Sequence, residues 1–124
     1  MEKVESKECA LEIVKFLDDK KAENIIVIDI EEISGFTDYF IIASCNSFTQ
    51  INVLAKSIKS MFSEKGIDMI NSLSTGKEST WIILDFQDFI VHLFLKDTRE
   101  FYQIEKLWHE GKVIYPSSEH VLAN

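Results

Sequence analysis

Three short apolar segments dominate this sequence and limit the folds open to it. They are YFIIASC at 39–45, WIILDF at 81–86 and FIVHLFL at 89–95. Their length and their aromatic and β-branched content predict β-strands. Segment 39–45 is apolar at successive positions, which predicts a strand in the centre of a sheet, buried on both faces. Only Gln87 and Asp88 separate the other two segments, which therefore predict a hairpin.

Between these strands, apolar residues recur at spacings of three and four, the period of an amphipathic helix. The alternation of helical and strand patterns predicts an α/β fold, with a single mixed β-sheet of about five strands flanked by helices. The remaining expected elements are helices over 4–20, 47–65 and 98–110, and strands over 24–30 and 67–73.

The ends of the helices carry recognisable signals. Ser47 or Asn46 is suited to cap the second helix and Gly66 to end it, while Asp97 and Gly111 are the expected cap and stop of the last one. The predicted helical core positions are Ile51, Leu54, Ile58, Met61, Phe62, Phe101, Ile104, Leu107 and Trp108.

The chain has 124 residues, enough for one domain with a core of normal size but not for two. We expect that domain to cover 1–116. The segment after Tyr115–Pro116 is polar, so residues 117–124 are predicted to form a flexible tail.

The net charge of −8 is unevenly distributed along the chain. No Lys or Arg lies between Lys21 and Lys56, or between Lys77 and Lys96, and both intervals contain predicted strands. Binding to a phosphate backbone depends on Lys and Arg, so this composition disfavours direct nucleic-acid binding. It favours a basic partner protein, because complementary charge speeds the encounter.

Cysteine use and hydropathy predict a cytoplasmic protein. Cys9 and Cys45 are far apart and form no CxxC pair, which is typical of a reduced compartment. No run of 18 apolar residues predicts a membrane span, and the N-terminal segment is too acidic for a signal peptide.

Three polar residues interrupt the apolar hairpin: Asp85, Asp88 and His92. Carboxylates and an imidazole can hold a metal ion or exchange a proton. Strand alternation lets Asp85 and His92 share one face, whereas Asp88 lies in the turn, where Asp usually accepts backbone amides. A catalytic set, a metal site and a surface for a partner are all open on this pattern alone.

Other enzyme signatures are absent from the sequence. It contains no Walker loop, no GxGxxG, no HExxH and no GxSxG, and its four glycines are isolated. Aromatic residues instead crowd the last third of the chain. Trp and Tyr beside acidic groups are typical of protein interfaces, and Trp81, at a strand start after a polar loop, is as suited to an interface as to the core.

Several segments together resemble the Iojap/ribosomal silencing factor family. They are FTDYFIIASCNS, WIILDFQDFIVHLF and REFYQIEKLW, which match in order and spacing over roughly residues 8–110. The resemblance rests on Thr37-Asp38-Tyr39, on Ser47 before a helix, on Trp81 with Asp85, Asp88 and Val91-His92, and on Arg99, Phe101, Tyr102 and Leu107-Trp108.

This resemblance implies a protein that binds the large ribosomal subunit through its basic ribosomal protein fourteen. It implies that the bound protein blocks the small subunit and represses translation when nutrients are short, or that it assists large-subunit assembly. The implied topology is similar to that of nucleotidyltransferases, but their catalytic residues are missing. We therefore expect no enzyme activity, no metal and no cofactor. We also expect a weak homodimer. The partner-binding residues we expect are Asp38, Tyr39, Trp81, Asp85, Asp88, His92, Arg99 and Tyr102.

The rival hypothesis is a nucleotidyltransferase-like enzyme that uses Asp85 and Asp88 with Mg²⁺. Two positions depart from the family pattern. Gln87 occupies a position where the family usually has Gly. The backbone at Gln87 is therefore expected either not to be left-handed or to be left-handed with mild strain. Cys45-Asn46-Ser47 replaces a small Gly-containing motif before the second helix.

Overall fold

The apolar segments pair into one six-stranded mixed sheet, in a computed structural model that describes residues 1–116. Strands β2 and β5 are parallel neighbours at its centre, and the other neighbouring pairs are antiparallel. The strands are β1 (Glu23–Asp29), β2 (Tyr39–Cys45), β3 (Asn71–Leu73), β4 (Trp81–Asp85), β5 (Phe89–Leu95) and β6 (Lys112–Tyr115). Their order across the sheet is β3-β4-β5-β2-β1-β6. The predicted single mixed sheet is confirmed, with one strand more than expected.

Two long helices cover one face of the sheet. They are α1 (Lys3–Asp19) and α3 (Phe48–Ser63), and their apolar stripes join the larger core cluster. Ser47 caps α3 as predicted, because the Gln50 amide donates to its Oγ at 3.0 Å. Ile51, Leu54 and Ile58 are buried as expected.

In residues 1–116, the helices on the other face are short. They are α4 (Lys96–Tyr102) and α5 (Ile104–Leu107), while α2 (Glu31–Ser34) connects β1 to β2. A smaller apolar cluster beneath them includes Phe40 of β2, Phe94 of β5 and Ile104. No helix among residues 1–116 combines the length and apolarity needed to cross a membrane.

The prediction of one continuous helix over 98–110 is wrong. Gln103 adopts a left-handed conformation (φ 47°, ψ 49°) and divides the segment into α4 and α5. The helical period therefore does not run through the break. Ile104 is buried as expected, but Phe101 is 79% exposed and Leu107 is 75% exposed. Nor does Asp97 cap α4, which begins at Lys96 without a side-chain cap.

Strand β6 was not predicted, and Gly111 explains how it reaches the sheet. A Cβ at Gly111 would lie 2.6 Å from Ile28 Cγ2 and 2.8 Å from the Asp29 carbonyl oxygen. The glycine is therefore needed for a close approach to β1, whereas the sequence predicted it as a helix stop. The predicted strand at 67–73 is also shorter than expected, since only 71–73 pair with β4.

We expect Gly111→Ala to destabilise the domain by about 1–3 kcal/mol, because the added methyl group must displace Ile28 or the backbone of β1. Urea denaturation measures the change in free energy of unfolding. Lys112→Ala is the control, because Lys112 is exposed and its loss should change stability by less than about 0.5 kcal/mol. Equal stability of Gly111→Ala and the wild type would contradict this account of β6.

Candidate functional site

Strand β4 presents an open strip on the face of the sheet that carries the short helices. Trp81, Ile83 and Asp85 alternate on this face and are partly exposed, while Ile82 and Leu84 are buried on the opposite face. Neighbouring β3 is exposed at all three residues, and its Asn71 and Leu73 lie opposite Asp85 and Ile83. The strip therefore lies where the cover of short helices ends.

The Trp81 end of the strip opens into a groove of about 350 Å³ between β3, β4 and α4. None of its lining residues is charged, so the groove suits an uncharged side chain. Apolar and aromatic groups alternate with hydroxyls around it. The lining consists of Leu73, Ser74, Thr75, Thr80, Trp81, Ile83, Thr98 and Tyr102.

Trp81 forms the floor of this groove. Its ring stacks on Phe94 with centroids 4.6 Å apart and lies 5.0 Å from the ring of Tyr102. Its Nε1–H donates to Nδ1 of His92 at 3.1 Å. Tyr102 is 51% exposed, so the pair presents an aromatic surface to solvent. Exposed Tyr and half-buried Trp are the residue types that most often anchor protein interfaces.

His92 lies beneath this surface and not on it. It is 5% exposed in the middle of β5, between Ile83 of β4 and Ile42 of β2. Burial lowers the pKa of His92 to about 4, so the imidazole is neutral at physiological pH. His92 therefore offers no exposed polar group, and its Nδ1 is occupied by the bond from Trp81.

The acidic residues of the predicted site lie beyond the groove: Asp85 ends β4, about 14 Å from Trp81 for a strand of this length. Asp88 follows in the hairpin turn, and Asp38 directly precedes β2. Asp85 Oδ1 accepts the Gln87 amide at 2.8 Å, and Asp38 Oδ2 accepts the Ser6 hydroxyl at 2.8 Å. The Asp88 carbonyl accepts the Asp38 amide at 3.0 Å. The sequence predicted that the Asp88 side chain would accept a backbone amide in the turn. In the structure, the Asp85 side chain accepts it instead.

The turn itself is left-handed at Gln87, where φ is 79°. Of the two interpretations that the sequence left open, the structure therefore supports the strained one. The amide of Asp88 donates to the Phe86 carbonyl at 3.1 Å, which forms a γ-turn centred on Gln87. The Phe86 amide donates to the Phe89 carbonyl at 3.0 Å and closes the two-residue loop of the hairpin.

Cations from α1 and the N-terminus already reach this acidic end. Lys3 Nζ lies 2.8 Å from Asp29 and 3.5 Å from Glu31, and the Met1 amine lies 3.8 Å from Asp88. The acidic end is therefore partly neutralised from within the chain. Asp85 carries none of these ion pairs and shares a face with Trp81.

Two further residues expected to bind a partner have internal contacts. Tyr39 is only 2% exposed and belongs to the larger core cluster. Arg99 donates from Nε to Glu105 at 2.9 Å and from a terminal nitrogen to Ser44 Oγ at 3.0 Å and to the Asn24 carbonyl. These bonds fasten α4 to β1 and β2, so Arg99 holds the groove wall in place.

Sequence reasoning missed some of the exposed apolar residues around the groove. Leu73 lines it from β3 and is 53% exposed, and Phe101 precedes Tyr102 in α4 and was assigned to the core. Phe101 could have been identified only by recognising the helix break at Gln103. Leu73 has no signal in the sequence beyond its position in a weak strand.

The predicted site thus divides into an aromatic end and an acidic end. Within residues 1–116, no three His, Cys, Asp or Glu side chains converge as metal ligands would. The mixed sheet with an open aromatic strip defines a small α/β domain whose exposed surface is of the kind that binds proteins.

Comparison with known proteins identifies the family. A sequence profile described as "Ribosomal silencing factor during starvation" matches residues 3–123. This chain therefore belongs to the ribosomal silencing factor family.

Individual relatives agree with this assignment. A ribosomal silencing factor of Bacillus subtilis is 42% identical over 94 residues, covering 76% of this chain and 79% of the relative. A mouse protein named for mitochondrial assembly of the ribosomal large subunit is 30% identical, over 77% of this chain and 43% of its own length. A crystal structure of a Chromobacterium violaceum protein matches with a TM-score of 0.75 and 33% identity, covering 88% of each chain.

The buried histidine predicts a specific pH dependence of stability. His92 has a folded pKa near 4 and an unfolded pKa near 6.5, so between these values only the unfolded chain binds the proton. As pH falls from 7 to 4, the free energy of unfolding of the wild type should therefore decrease by up to about 3 kcal/mol relative to that of His92→Phe. Below pH 4 the difference should change little. Urea denaturation of both proteins at several pH values measures this difference. Parallel stability curves would contradict it.

Proposed function

We propose that this protein binds the large ribosomal subunit through its basic ribosomal protein fourteen and obstructs association with the small subunit. Translation is thereby repressed under nutrient limitation. The observation that carries the proposal is membership of the ribosomal silencing factor family over nearly the whole chain. The relative from Bacillus subtilis has the same family name at 42% identity.

The open strip along β4 is the docking surface in this proposal. Trp81 and Tyr102 offer aromatic area at the groove, and Asp85 offers a negative charge on the same face. Aromatic anchors contribute most of the affinity in protein interfaces, and charges at their rim speed association. A basic partner that inserts an uncharged side chain beside Trp81 and places a cation near Asp85 matches this layout.

Obstruction of the small subunit requires only occupancy of the docking site. The extent of repression is then set by the concentration of the protein relative to its dissociation constant, with no turnover and no cofactor. The weak homodimer stays a prediction, and light scattering across a dilution series tests it.

A second role is assistance in large-subunit assembly, which the name of the mouse relative favours. The two roles differ in the particle that is bound. A silencing factor binds mature large subunits, whereas an assembly factor that does not silence prefers immature particles.

Co-sedimentation tests both roles directly. Purified protein is mixed with mature large subunits, or with precursors from a strain blocked in assembly, and is centrifuged through sucrose. Binding to mature subunits together with reduced joining of small subunits supports silencing. Binding to precursors alone supports assembly, and sedimentation with neither would refute ribosome binding.

We expect Trp81→Ala to weaken binding to isolated large subunits by about 2 kcal/mol or more, and Tyr102→Ala by about 1–2 kcal/mol, because both lose aromatic anchor area. Val53→Ala is the matched control, since Val53 is 54% exposed on α3 and does not line the groove. Thermal melts accompany each binding measurement. If folded Tyr102→Ala and Trp81→Ala bind as the wild type does, the docking surface lies elsewhere.

We expect Asp85→Asn and Asp88→Asn to lower the association rate and flatten its salt dependence, with a smaller effect on dissociation, because exposed charges act through steering. Asparagine keeps an oxygen that can accept the Gln87 amide in place of Asp85 Oδ1. Asp19→Asn makes the same charge change at the exposed end of α1 and should leave the rate unchanged. Stopped-flow mixing with labelled subunits measures these rates; an effect confined to dissociation would rule out steering.

A further inference from the structure

The hydrogen bond between Trp81 and His92 joins the floor of the groove to the centre of the sheet. The two residues lie on neighbouring strands, and Nε1 of the indole is 3.1 Å from Nδ1 of the imidazole. An indole nitrogen can only donate, so Nδ1 must be the unprotonated acceptor and the proton of the neutral ring lies on Nε2. The contact therefore fixes the tautomer of His92.

Stability alone does not explain a histidine at this position. Its Nε2 is buried and has no hydrogen-bond partner in the described part of the chain. The ring lies among apolar neighbours, with the centroid of Phe40 only 4.5 Å away. A phenyl ring would fill similar space without burying an unpaired donor, which is costly in a sheet interior. What histidine supplies and phenylalanine cannot is an acceptor for the indole.

That acceptor restricts the orientation of Trp81 in a way that ring stacking does not. Stacking on Phe94 holds the indole plane, with 28° between the two rings. A half-turn of the indole about its Cβ–Cγ bond would leave the plane of the ring unchanged. It would also move the N–H away from His92 and present a different edge to the groove. The hydrogen bond selects one of these two orientations.

We propose that His92 is a positioning residue, whose Nδ1 holds the indole of Trp81 in the orientation that the partner of the groove requires. This inference rests on the proposed function, since it assigns His92 a part in the same docking surface. Burial keeps the pKa of His92 near 4, so the acceptor persists at neutral pH. Its effect on binding is preorganisation, because an indole that is already oriented loses less freedom when the partner arrives.

The test compares two substitutions of His92. His92→Phe keeps an aromatic ring but removes the acceptor, whereas His92→Asn places an amide oxygen close to the position of Nδ1. The indole N–H signals are followed by proton NMR and hydrogen exchange, and Trp108→Phe assigns the signal of Trp81, since the chain has two tryptophans. Binding to isolated large subunits is measured for each protein with Trp108 in place.

We expect His92→Phe to stay folded, to lose protection of the Trp81 N–H and to bind about fivefold or more weakly. His92→Asn should recover both the protection and most of the affinity. If His92→Phe binds as the wild type does, or if His92→Asn regains protection without affinity, the positioning role is overturned. Should His92→Phe fail to fold, His92→Leu replaces it under the same criteria.

Failure of the proposed function gives a different result. In that case the wild type itself does not bind large subunits, although its Trp81 N–H is protected. The part of His92 in docking is then overturned together with the docking surface. Normal binding by the wild type and by His92→Phe overturns only the inference about His92.

Discussion

Parallel pairing of β2 with β5 is the interaction on which the rest of the structure depends. The two strands match along their whole length, from Tyr39 opposite Phe89 to Cys45 opposite Leu95. Both are buried on both faces over almost all of that length, so each face of the sheet must be covered. Helices α1 and α3 cover the four central strands on one face. The short α4 and α5 cover only the centre of the other, and the strip along β4 stays open as a result.

Local signals account for the parts of the fold that the sequence predicted. Segment 39–45 coincides with β2, and the cap at Ser47 marks the start of α3. Strand β6 was missed because its pairing partner, β1, lies more than 80 residues earlier and Gly111 is required by that distant contact. Phe101 was misplaced because a single left-handed residue, Gln103, interrupts a helical period that reads as continuous.

The sequence predicted which residues belong to the candidate site, but it did not predict which of them contact one another. Trp81 and Tyr102 do come together, and Asp85 does share their face, as strand alternation implies. The burial of Tyr39 and the internal bonds of Arg99 depend on contacts between distant segments, which no local pattern reveals. The same holds for the bond from Trp81 to His92, which follows from the register of β4 against β5.

The separation of the two ends of β4 allows them to contribute to binding at different stages. Asp85 is about 14 Å from Trp81, which exceeds the Debye length of about 8 Å at physiological salt. Its charge is therefore largely screened at Trp81, the aromatic end of the groove. It can still attract a basic surface during approach. On the proposed docking surface, we therefore expect the acidic residues to affect mainly the association rate and the aromatic floor to affect mainly the dissociation rate.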